Sequence, residues 1–132
     1  MAVIIDGKQI AESVRADLGA RIARLNEQGV RPGLAVILVG DDPASVIYVT
    51  QKEKVAAELG MHAVLHRLPA TTTQGELAAL VDDLNADPAI HGILIQSPLP
   101  APLQVKPLFQ QVSPAKDVDG LHHINVGRLW SG

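Results

Sequence analysis

Tyr48 and Lys52 stand four residues apart in a stretch that reads as helix, so their side chains share one face. At about 100° per residue, Tyr48, Lys52, Val55 and Leu59 fall in one narrow stripe with Ala44 at its edge. Val55 and Leu59 make this the stripe expected to face inward, carrying Lys52 with it beside the chain's only tyrosine. An inward lysine has two readings. Its stem can pack while the amine snorkels to water. Alternatively it lies in a cleft, where burial disfavours the ammonium and suits the amine to proton transfer. Lys54 lies off the stripe and reads as a surface charge.

Gln96 closes an apolar run and precedes the turn Ser97-Pro98-Leu99-Pro100. An amide there can fix a ligand or a neighbouring amine, or it can satisfy the strand-end backbone. Asp117 and Asp119 lie in the polar loop Lys116-Asp117-Val118-Asp119-Gly120. Carboxylates in such loops make turn hydrogen bonds, or one of them binds a cationic, amidine-like ligand edge. The five histidines, His62, His66, His91, His122 and His123, form no helical H-x-x-x-H pair, so no metal site is expected. The sequence has no G-x-G-x-x-G, Walker A or G-x-S-x-G motif. Gly40-Asp41-Asp42 does not supply the glycine fingerprint that accompanies a Tyr-x-x-x-Lys pair in short-chain dehydrogenases.

These residues must be held by alternating strands and helices. Residues 2–5 are a short apolar run, and Asp6 can cap a helix with Gln9 as its capping-box partner. Ile10, Val14, Leu18, Ile22 and Leu25 then predict one buried helix face, stopped at Gly29. Residues 34–39 are a continuous apolar run, as in a strand covered on both faces. Asp42 and Pro43 predict the start of a second helix that ends near Leu59 and Gly60. A weaker strand follows over 61–68, then a capping box from Thr73 to Glu76 and a helix face of Leu77, Leu80, Val81 and Leu84. Asp87-Pro88 breaks that helix. A strand over 90–96, a short helix over 105–112 and a final helix in the last dozen residues complete the pattern. The alternation predicts a three-layer αβα fold with a mostly parallel sheet. In such sheets ligands sit beyond the carboxyl ends of the strands, where the loops at 40–45 and 96–100 both open.

Composition narrows the partners. The chain has 132 residues, one domain's worth, with 47% hydrophobic residues, 19% charged residues and a net charge of −3. A general binder of nucleic acid or anionic membranes needs a basic excess, so neither is expected. With no cysteine there is no disulfide, thiolate nucleophile or cysteine-held zinc. The opening residues do not read as a signal peptide, and no apolar run approaches the ~20 residues of a membrane span. A cytoplasmic location is the expectation.

Together the motifs resemble the N-terminal, folate-binding domain of the bifunctional methylenetetrahydrofolate dehydrogenase/methenyltetrahydrofolate cyclohydrolase family. The resemblance is carried by IIDGKQIA at 4–11, PGLAVILVGDDPAS at 32–45, YVTQK at 48–52, GILIQSPLP at 92–100 and PAKDVDGLHHINVGRL at 114–129. Each piece alone is weak, but their order and spacing are specific. One departure is Ser97, where the family usually has leucine in its folate pocket. The resemblance implies that residues 1–132 are one folate-binding catalytic domain, with about 122–132 beginning the connection to an NADP-binding Rossmann domain that this chain lacks. It implies catalytic roles for Lys52 in proton transfer, for Tyr48 packed on the folate and for Gln96 orienting Lys52. It implies substrate contacts from Tyr48, Lys52, Ile95, Gln96, Ser97 and Pro98, with Asp119 holding the pterin edge. The family oxidises 5,10-methylenetetrahydrofolate with NADP and hydrolyses the methenyl product to 10-formyltetrahydrofolate, and is usually homodimeric. This chain alone is expected to bind no NADP or metal and to lack the oxidation. A non-catalytic small-molecule-binding or interaction domain is the alternative.

Overall fold

The computed structural model describes residues 4–132, so the front of the apolar run at 2–5 lies outside the described residues. Ile4 and Ile5 stand outside any strand and are exposed. Helix α1 (Gly7–Glu27) begins at Asp6, whose carboxylate accepts from the backbone N–H groups of Lys8 and Gln9. Strand β1 (Gly33–Val39) follows, then α2 (Pro43–Glu58), with Pro43 in its first turn and Asp42 Oδ1 accepting from Ser45 N at 2.8 Å. Strand β2 (His62–Leu68) leads to α3 (Gln74–Ala86), where Thr73 and Glu76 close both halves of the capping box. Strand β3 (Gly92–Ile95), α4 (Val105–Gln111) and α5 (His123–Ser131) finish the chain. Every predicted element after residue 6 is present, with bounds shifted by a few residues.

The sheet is parallel, in the order β2-β1-β3. Because side chains alternate along a strand, the central strand feeds two layers. Ala35, Ile37 and Val39 join Ile93 and Ile95 beneath α3 and α4, which contribute Leu77, Val81, Leu84 and Leu108. Val36 and Leu38 join Leu94 on the opposite face, under Val49 of α2. The expected three-layer α/β architecture is therefore the one observed.

Two glycines are fixed by close approach. A Cβ on Gly33 would collide with the Ala89 carbonyl oxygen, and one on Gly92 would lie 2.5 Å from Val118 Cγ1. Each lets a loop run against a strand.

Helix α1 departs from expectation. Of its periodic apolar face only Ile22 is buried, while Ile10 is 53% and Val14 52% exposed. Its periodicity is real, but only its C-terminal half meets the domain, through Gly19 against Leu59 and Asn26 Nδ2 donating to Gly60 O. Among the described residues nothing covers the rest of that face.

Candidate functional site

Period two places Leu94 and Gln96 on the α2 face of β3, opposite Ile93 and Ile95. Gln96 continues the strand, its N–H donating to Ile37 O at 2.9 Å, so its side chain emerges at the carboxyl end beneath α2. There Lys52 Nζ donates to Gln96 Oε1 at 3.1 Å. The other end of the amide is also tied down, because Gln96 Nε2 donates to Ser97 O at 2.8 Å. That second bond fixes which end faces the lysine. A flipped amide would set its N–H groups against the donating Lys52 Nζ and its oxygen against the Ser97 carbonyl oxygen.

Helix α2 positions Lys52 by an overlap of two lines of residues. Its buried line is Ser45, Val49 and Ala56, and Lys52 falls on it at helical spacing. The stripe Tyr48, Lys52, Val55 and Leu59 was expected to be the inward one. Instead it borders an open apolar cleft of about 340 Å³ that Leu34 and Met61 also line. Lys52 alone belongs to both lines, so it is half-buried, with its amine held at the sheet end. Tyr48 is 61% exposed, one turn before it, and its ring is free to stack.

Ser97 and Pro98 follow Gln96 directly and are exposed, joined by a cis peptide bond. Pro98 also borders a second cavity of about 280 Å³ with Gly40, Asp41 and Asp42. Ile95 differs from the sequence expectation of a substrate contact, since its side chain is 4% exposed and packs in the core beneath α3. Only its backbone is available to a ligand, because strand alternation turns it away from Lys52.

Asp119 is exposed at the tip of loop 116–120, and Gly120 turns the chain there with φ +68°. The loop's internal hydrogen bonds go to Asp117 instead. Its carboxylate accepts from Leu121 N at 3.3 Å, His122 N at 2.9 Å and Asn125 Nδ2 at 2.9 Å. Partial burial pushes the Asp117 carboxyl up, but the Asn125 amide and the His122, Leu121 and Gly120 N–H groups outweigh this and leave it below the ordinary range. Sequence reasoning gave no role to Lys116, His122 or Asn125. The only signal was their place in one contiguous motif, because the partners of Lys116 at the end of α3 and of His122 on α4 lie in other elements, while Asn125 bonds back to Pro114 and Asp117.

A dinucleotide does not fit the end of β1. Gly40 leads into an α2 N-terminus where Pro43 lacks an N–H, the Ser45 N–H is held by Asp42, and Asp41 and Asp42 would repel a diphosphate. Hydrogen bonds from the helix N-terminus also hold the Asp42 carboxyl below its ordinary range. Among the described residues no group of three acidic or histidine side chains could hold a metal ion, and no helix is long and apolar enough to cross a membrane.

Residues 5–119 match the tetrahydrofolate dehydrogenase/cyclohydrolase catalytic-domain family. The chain is 55% identical over 132 residues to the bifunctional protein FolD 2 of Geobacter sulfurreducens, covering all of this chain and 46% of that protein. It is 55% identical over 131 residues to the bifunctional protein FolD of Levilactobacillus brevis, covering 99% of this chain and 46% of that one. The crystal structure of the bifunctional enzyme FolD from Campylobacter jejuni superposes with a TM-score of 0.92 at 42% identity, over 94% of this chain and 44% of that one. The Trypanosoma brucei methylenetetrahydrofolate dehydrogenase-cyclohydrolase, solved with NADP and an inhibitor, gives a TM-score of 0.92 at 38% identity, over 97% and 44%. The chain thus spans about half the length of the relatives it matches.

Proposed function

The chain belongs to the tetrahydrofolate dehydrogenase/cyclohydrolase family through its catalytic domain, and we propose that it is the folate-binding, proton-transferring half of such an enzyme. The observation that carries this reading is the Lys52–Gln96 hydrogen bond at the carboxyl end of a parallel sheet, beside an exposed tyrosine.

Hydrolysis of methenyltetrahydrofolate adds water to a cationic amidinium carbon. Both protons of that water leave the oxygen as it becomes the formyl carbonyl: one ends on the ring nitrogen as its bond to that carbon breaks, and the other goes to solvent as the cationic substrate becomes a neutral product. In this proposal the Lys52 amine takes a proton from the adding water and delivers it to the ring nitrogen. Gln96 Oε1 aims that amine, and Tyr48 stacks on the folate. Ser97 and Pro98 form the wall beyond Gln96. Asp119 accepts from the paired N–H donors of the pterin edge, a charge-assisted contact. Oxidation of methylenetetrahydrofolate needs a nicotinamide held against the folate. The loop after β1 offers no diphosphate cradle, so within residues 1–132 we propose the folate side of that step. We read the stretch 122–132, where Leu129 and Trp130 are exposed, as the run toward a second domain.

The test follows methenyltetrahydrofolate absorbance with the purified chain and with Lys52→Ala. The expected result is protein-dependent hydrolysis that falls ~10²–10⁴-fold in the variant. Equal rates in both proteins, with folate still bound, would replace this reading with that of a non-catalytic binding domain.

A further inference from the structure

Loop 116–120 is held at three points before it reaches Asp119. Lys116 sends its ammonium into the C-terminal end of α3, donating to Leu84 O at 2.9 Å and Asp87 O at 2.8 Å. A cation suits that place, where the last carbonyls of a helix lack intrahelical partners. The Lys116 carbonyl accepts from Ile93 N at 2.8 Å, and Asp117 forms a parallel bridge with Ile93. The loop therefore runs alongside β3 in the same direction, and Val118 lies over Gly92. Asp117 then folds the far side of the loop onto itself by accepting from Leu121 N, His122 N and Asn125 Nδ2. Asn125 Nδ2 also donates to Pro114 O at 2.9 Å, tying the start of the loop to α5. His122 Nε2 meets Gln110 O at 3.1 Å, which anchors the same turn to α4.

One acid of the Asp-x-Asp pair is consumed by the protein, while the other is left exposed. We infer that Lys116 and Asp117 are positioning residues, which hold loop 116–120 in the shape that presents the Asp119 carboxylate beyond the end of β3, on the side where Gln96 meets Lys52. This inference rests on the reading of Asp119 as the carboxylate that holds the ligand. Asp117 touches no ligand and acts only through Asp119. Its two oxygens accept three N–H groups, so an asparagine in its place must set its own NH₂ against at least one of those donors. The loop then loses its fixed turn while the core under α3 is untouched.

The experiment is a double-mutant cycle on the full chain, with tetrahydrofolate affinity read by titration calorimetry. Asp119→Asn alone should weaken binding about 10- to 100-fold. Asp117→Asn should weaken it by several fold, and amide exchange at Leu121 and His122 should accelerate. In the Asp119→Asn background, Asp117→Asn should change affinity by less than about twofold. A general loss of stability would carry its full penalty into both backgrounds, so the cycle separates positioning from mere support. Lys116→Met, which keeps the stem and removes the amine, is expected to behave as Asp117→Asn does and serves where that variant fails to fold. Fully additive penalties would overturn the inference and leave the reading of Asp119 standing. An Asp119→Asn chain that binds as tightly as wild type would overturn both, and that result is visible from the single variant.

Discussion

The two faces of the sheet are built to different ends. Beneath α3 and α4, Ile37, Leu77, Val81 and Leu108 are essentially inaccessible, and the layer is closed by side-chain bonds such as Asn85 Nδ2 to Gln111 O at 2.8 Å. Beneath α2 the buried set is Val36, Leu38, Val49 and Leu94, and the helix flank beside them opens into an apolar cleft. The face beneath α3 and α4 carries none of the residues proposed for the reaction, whereas the open face carries Lys52, Gln96 and Tyr48. One layer supplies the stability that lets the other keep a half-buried amine and an uncovered ring.

The sharpest consequence is that function and stability separate by face. Lys52→Ala should cost ~10²–10⁴ in hydrolysis rate while losing only about 1 kcal/mol of stability with the bond to Gln96. Rate assays paired with urea denaturation check this, and a large loss of stability would make Lys52 a structural residue. Leu77→Ala on the closed face should do the converse, destabilising by ~2–5 kcal/mol because it empties a fully packed site. Affinity for folate in the remaining folded fraction should be unchanged. Val14→Ala, on the uncovered face of α1, should alter stability by less than about 0.5 kcal/mol. A larger loss would mean that something covers that face in solution.

Acid probes the same division at loop 116–120. Asp117 stays ionised to lower pH in the folded chain than in the unfolded one, so its contribution is complete above the ordinary aspartate value of ~3.9. It is lost only as pH falls through the depressed folded value. Amide protection at Leu121 and His122 should therefore be flat from about pH 7 to pH 5 and collapse only in stronger acid. A collapse within that window would contradict the assignment.

Much of this was legible in the sequence because the signals are local. Asp6, Asp42 and Thr73 sit at their helix starts as capping chemistry dictates. The apolar run at 34–39 is the central strand because only a strand covered on both faces needs no polar side. The pairing of Lys52 with Gln96 was also within reach, since a residue two beyond Leu94 must share its face. Long-range packing was not. The α1 periodicity gave the helix correctly, but periodicity shows which face is apolar and not what covers it. The α2 stripe was displaced by one line of residues because two overlapping apolar lines share Lys52, and only the register against β1 decides which is buried. Ile95 came with its neighbours as a contact although alternation turns it into the core. Lys116 was invisible as a clamp because its acceptors are backbone carbonyls of another helix.

Ligand binding at the open end of the sheet is tested most directly by a backbone-amide NMR titration of the chain with tetrahydrofolate. The predicted result is that shifts concentrate at Tyr48, Lys52, Gln96, Ser97 and the 117–120 loop, while the amides of Val81, Leu84 and Leu108 stay still. Shifts centred on α3 and α4, or on the exposed face of α1 with Gln96 unmoved, would contradict it.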